Sequence, residues 1–193
     1  MLTRMKADIN QRNTFSREMW LAMAIDVLAE EVKSKFSLDS LIAAMPVTKG
    51  SFYSHFRDRS EFLVALVEYW DRHHTRSVVD VLRSLPEATS AQDRLWVLMR
   101  MVHDMKFNRY ELLIRTLTQE FPGIRDAVRV VDRRRIDAVR SLFREMGFVG
   151  DELEMRTLAC ITVTSQDGNV FYDLPPEDYK RQLKLRHAFF IRP

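Results

Sequence analysis

Residues 48–56 read Thr-Lys-Gly-Ser-Phe-Tyr-Ser-His-Phe, and position sorts their side chains into two kinds. Thr48, Lys49, Ser51, Tyr53 and His55 carry hydroxyl, ammonium and imidazole groups that can hydrogen-bond base edges or phosphate oxygens. Phe52 and Phe56 stand four apart, so on a helix they share one face and belong to a core. Lys49 can reach a guanine or a phosphate, while Thr48 caps the helix and can also face DNA. Gly50 costs about 1 kcal/mol of helix propensity relative to alanine, a cost that suits close approach to another backbone. A helix entering a DNA major groove needs this layout, with small and polar residues leading and an apolar face behind.

The motifs of other chemistries are missing. There is no Gly-rich phosphate loop, no Gly-x-Ser-x-Gly elbow and no His-Glu-x-x-His run. His73 and His74 are adjacent, so on a helix they point about 100° apart and chelate poorly. His103-Asp104 and Cys160 are too scattered to argue a metal site. No catalytic residue, metal or cofactor is expected, and the chain does not read as an enzyme. Cys160 reads as a small apolar filler; one cysteine excludes an internal disulfide and fits a reducing, cytoplasmic setting.

The recognition segment must be held by its neighbours, and composition says what these are. Hydrophobic residues make up 46% of 193, while Gly (5) and Pro (6) are scarce and no alternating strand pattern appears. The chain reads as all-α, with about nine helices. Helices are expected near 15–33 (capped by Thr14 or Ser16), 38–44 (capped by Ser37) and 49–55 (capped by Thr48). Pro46 disfavours the α conformation at Met45, so the second should stop near Ala44. A long helix should cover 59–84. Further helices should start at Ser90, at an Asn108/Glu111 capping box, near 123, at an Asp151/Glu154 capping box, and at Pro176. The seventh should end at Gly147 and the eighth near Phe171. Ile161-Thr162-Val163-Thr164 favours a strand locally but has no partner strand, so it is read as helix.

The net charge is +3 and the pI about 9.1, which is only mildly basic. Residues 1–70 balance nine Lys/Arg against nine Asp/Glu, so the positive charge of the recognition segment is local. The basic runs 125–144 and 180–192 read as solvated helix faces. Residues 1–13 contain no apolar leader segment, and no run of about 18 apolar residues exists, so neither a leader nor a membrane span is expected.

At Val47, Gly50, Phe52, Tyr53, His55, Phe56, Arg59 and Leu63 the chain resembles the tetracycline-repressor (TetR) family of bacterial transcriptional regulators. The resemblance covers about residues 15–70. It implies a helix-turn-helix DNA-binding domain at 1–60, with its recognition helix at about 48–55, and a helical ligand-binding and dimerisation domain at 61–193. It implies DNA contacts from Ser37, Thr48, Lys49, Gly50, Ser51, Tyr53, His55 and Arg59. Of these, Tyr53, His55 and Arg59 position the protein on phosphates. Two departures stand out. Pro46 occupies the turn where the family usually has Gly, so the turn must be built differently or shifted by one residue. The usual Gly between the first two helices is also missing.

The resemblance further implies a homodimer on a palindromic double-stranded operator, acting as a repressor released by a small-molecule effector. A DNA-binding regulator with no effector pocket is the alternative. Trp96, Met99, His103 and Phe107 recur at helical spacing, a stripe that is ordinarily core. With Tyr110 and Gln166 they are the pocket candidates. Leu158, Ile161, Phe171, Leu183 and Phe189 could supply the dimer seam.

Overall fold

A computed structural model describes residues 15–30, 35–106, 108–165 and 175–192, and every regular element among them is helical. The order is α1 (Arg17–Glu30), α2 (Leu38–Ala44), α3 (Lys49–His55), α4 (Arg59–Asp71), a π-helical turn (Arg72–Arg76) and α5 (Ser77–Ser84). Then come α6 (Ala91–Asp104), α7 (Asn108–Glu120), a 3-10 turn (Pro122–Ile124), α8 (Arg125–Glu145), α9 (Gly150–Ser165) and α10 (Pro176–Ile191). The all-α expectation therefore holds, and Ile161–Thr164 is helical. No described helix is long and apolar enough to cross a membrane.

Side chains that satisfy the first free N–H groups fix where these helices begin. Ser16 accepts from Met19 N–H at 3.1 Å, Ser37 from Ser40 at 3.3 Å, and Thr48 from Ser51 at 3.1 Å. Ser90 accepts from Asp93 N–H at 3.1 Å and donates to the Asp93 carboxylate at 2.6 Å. α8 ends as predicted at Gly147, which takes φ +95°. Gly147 N–H bonds Arg144 O at 3.0 Å and Phe148 N–H bonds Phe143 O at 3.1 Å, while the Phe143 and Phe148 rings pack together. This double bond pattern with its apolar clasp satisfies the last carbonyls of the helix.

Two expectations are corrected. The 59–84 helix is not uniform, because five residues in its middle are π-helical and Ser77 N–H reaches back to Arg72 O. That spacing sets Arg76 Nε 2.7 Å from the buried Asp71 carboxylate, which Arg134 also engages. The Asp151/Glu154 capping box does not form. Gly150, at φ +58°, lets α9 start one residue earlier, and Glu154 is paired with Arg140 instead. Thr14, Phe107, Gln166 and Phe171 lie outside the described residues, as do 31–34, where the family glycine was missed.

Two apolar cores result. The first joins α1–α4 to α7 and the start of α8 through Trp20, Phe52, Phe56, Phe62, Leu66, Ile114 and Val128. The second joins α5, α6, α8, α9 and α10 through Leu95, Met99, Val139, Phe143, Cys160 and Phe190. Burial pushes the Cys160 thiol up to about 12, so it stays a neutral filler.

Candidate nucleic-acid interface

α2 and α3 are short helices joined by Met45–Thr48, and no described residue in that turn has a positive φ. Met45 sits at φ −108°, ψ 153°, the extended geometry that a following proline favours. Its N–H closes α2 on Ile42 O, and Thr48 then opens α3. The turn is thus built from extended residues around Pro46 in place of a left-handed glycine.

α3 is locked in rotation by its apolar face. Phe52 and Phe56 are fully buried and meet Trp20 and Phe62 edge-on, with ring centroids 5.2 to 5.8 Å apart. The indole N–H of Trp20 donates to Ser51 Oγ at 3.3 Å, which pins the first turn of α3 to α1. The opposite face is open. Thr48, Lys49, Gly50, Tyr53 and Ser54 are exposed, Tyr53 by 55%. Among the described residues a Cβ at Gly50 would meet only Thr48 Oγ1, at an ordinary 3.7 Å, so none of them requires a glycine there.

The other predicted contacts divide. Ser37, at the start of α2, is exposed beside this face. His55 is half-buried, its Nε2 2.6 Å from Phe15 O; a carbonyl only accepts, so this nitrogen carries a proton and donates. Arg59 lies with its guanidinium 4.6 Å from the centre of the Phe121 ring, which links α4 to the segment after α7. Sequence reasoning missed Asp39, whose carboxylate accepts from Lys49 Nζ at 3.1 Å and raises the lysine's pKa. The two residues are ten apart on different helices, so only the geometry of the turn brings them together.

A second feature lies in the bundle. A cavity of about 70 Å³ opens among α5, α6, α8 and α9, walled by Val78, Val79, Leu98, Val102, Val139 and Ile161. His74, Thr75, Glu111 and Arg135 form its polar end. Burial holds the His74 imidazole down at about 4; its Nδ1 is 3.1 Å from Trp70 O and its ring lies against Tyr110. None of Trp96, Met99, His103 and Tyr110 lines this cavity. Met99 is in the second core, and Trp96 packs on His187. Tyr110 donates to Asp26 of α1 at 2.6 Å, and His103 is half-buried in the last turn of α6. Their regular spacing marked the packed face of α6 rather than a cavity wall. Among the described residues no group of three or more His, Cys, Asp or Glu could hold a metal ion.

A helix-turn-helix with one buried and one open face, carried on a helical bundle, defines a class of protein. No protein-family profile matches the chain. Over 63 residues it is 30% identical to the transcriptional regulator AcuR of Cereibacter sphaeroides, a match spanning 33% of this chain and 29% of that protein. A bacterial regulatory protein in the TetR family from Rhodococcus RHA1 superposes with TM-score 0.67 at 14% identity, over 93% of this chain and 98% of that one. A putative TetR-family transcriptional regulator from Vibrio parahaemolyticus gives 0.59 at 14% identity, over 93% and 97%. The chain has the fold of the TetR-family transcriptional regulators.

Proposed function

We propose that this chain is a cytoplasmic, sequence-specific DNA-binding regulator rather than an enzyme. In this reading it acts as a homodimeric repressor on a palindromic operator, from which a small-molecule effector releases it. Residues 1–60 form the headpiece and 61–193 the effector and dimerisation part. The carrying observation is the two-sidedness of α3: Phe52 and Phe56 fix its rotation, and Thr48, Lys49, Gly50 and Tyr53 stand open on the other side. In this scheme Lys49 leaves Asp39 to reach a base or phosphate. Gly50 admits the DNA backbone, and Ser37, Ser51, Tyr53 and His55 set the register on phosphates. Arg59 joins them by leaving the Phe121 ring. Two headpieces about 34–36 Å apart would meet successive major grooves.

Selection of bound fragments from a random DNA pool, at stated salt, should return a palindromic motif. On that motif Lys49→Ala and Tyr53→Phe should each weaken binding by about tenfold, as expected for loss of one contact of 1–3 kcal/mol. Helicity should be unchanged in both. Unaltered affinity in both variants would rule out α3 as the reading helix.

A further inference from the structure

The bundle cavity has walls of one chemistry and a floor of another, and the floor is already spoken for. Glu111, 4% exposed, accepts on Oε1 from Arg115 at 2.6 and 2.8 Å and on Oε2 from Arg135 at 2.6 Å. Arg135 gives its Nε to Thr75 Oγ1 at 2.9 Å, and its guanidinium lies 4.4 Å from the centre of the Trp70 ring. Arg115 is further matched by Asp132 at 2.7 Å. Glu111 and Asp132 thus balance Arg115 and Arg135. The Thr164 hydroxyl, at the other end, donates to Cys160 O at 2.8 Å. His74 is half-buried, and with its pKa held down at about 4 its imidazole is neutral at pH 7.

A charged guest would sit against valines and leucines, and among the described residues no counter-ion is left to meet it. It could gain one only by breaking the Glu111–Arg135 pair, leaving a buried carboxylate half-satisfied. An uncharged guest pays neither penalty and buries its apolar body against the walls. The volume admits only a few heavy atoms.

Resting on the effector-gated reading above, we propose that this cavity binds a small uncharged organic molecule. That molecule has a short apolar body and at most one polar group, and the site discriminates against carboxylates and ammonium ions of the same shape.

The test uses the full chain and three probes of one length: 1-propanol, propanoate and propylammonium. Affinities are read from methyl chemical shifts of Val78, Val139 and Ile161. Propanol should shift these methyls and bind at least tenfold tighter than either ion. In Ala138→Leu, which narrows the cavity from α8, propanol affinity should fall at least fivefold while helicity is retained. If that variant misfolds, Val79→Leu serves from α5. Propanoate or propylammonium binding as tightly as propanol would overturn the proposal. So would methyls unmoved at the highest propanol concentration that leaves the chain folded, or propanol affinity unaltered in the folded cavity variants. Operator binding is measured on the same samples without probe. Its absence would remove the regulator reading while leaving the cavity result to stand, and its presence with a preference for an ion would remove only this inference.

Discussion

His74 is a histidine that folding keeps from its proton. Burial lowers its pKa from 6.5 to about 4; the hydrogen bond to Trp70 O works the other way, and His73, Arg135 and Arg109 add repulsion. Its contribution to the pH dependence of stability has a definite sign. Above pH 6.5 the folded and unfolded states are both neutral here, and nothing is lost. As pH falls from 6.5 toward 4, the unfolded chain takes up a proton that the folded chain refuses, so stability drops, and below 4 the loss levels off. Between pH 7 and pH 5 the site should cost about 2 kcal/mol. Urea midpoints at the two pH values measure this. His74→Gln should show a difference between them smaller by that amount, and an equal drop in the variant would mean that other groups carry the effect. Phe52 and Phe56 were legible in the sequence because a spacing of four can only mean one face. His74 was not, because burial of a lone histidine depends on which helices close over it, and here these include Tyr110, thirty-six residues on.

The π-helical turn joins the two apolar cores, and its side chains touch both halves of the molecule. Arg72 and His73 reach Glu18 of α1 at 2.9 and 2.8 Å, while His74 and Thr75 line the cavity. A single turn that meets α1 on one side and the cavity on the other would, on the proposed effector-gated reading, be the contact through which the two sites are linked, and π-helical turns inside α-helices are frequent at functional sites. Glu18→Gln should remove the ionic link. The pair is half-exposed, so stability should change by no more than about 1 kcal/mol. Operator affinity without ligand should stay within about twofold, while the fall in affinity on adding ligand should shrink. Anisotropy titrations with and without ligand read both quantities, and an unchanged ratio would take Glu18 out of the coupling. The helices themselves were readable from caps, breaks and apolar period, as at Ser37, Thr48, Ser90 and Gly147. The π-turn was not, since an amphipathic run over 59–84 fits α-helical and π-helical spacing alike until Asp71 meets Arg76 and Arg134. The open face of α3, proposed to meet DNA, was readable for the same reason as the helices: it is a local pattern on one of them. The cavity escaped because the residues that line it run from His74 to Ser165 and come from separate helices.

At the scale of the whole molecule, the last two helices carry large apolar side chains that the described residues leave open. Met155 and Leu158 on α9 are 62% and 56% exposed, and Leu185 and Phe189 on α10 are 58% and 69% exposed. Each pair is at helical spacing, so each helix presents a stripe. Arg156 ties the two helices together by donating to Phe190 O at 2.7 Å. The seam expected from sequence is corrected in part: Leu183 is buried in the second core and Ile161 lines the cavity, while Leu158 and Phe189 stand open. A paired apolar surface on two adjacent helices suits a two-fold contact, in which each stripe meets its own copy and the assembly closes at two. Leu158→Asp combined with Phe189→Asp should therefore give a monomer by sedimentation at micromolar concentration. Both side chains are exposed, so the monomer should keep its helicity and lose little stability. Its operator affinity should fall by about 10²- to 10⁴-fold, because two weak half-site contacts are no longer tethered to one another. A palindrome and a half-site should then bind the variant about equally well. If the variant stays dimeric, the two copies meet on another face. If it is monomeric but still prefers the palindrome, α3 reads its site without help from a second headpiece.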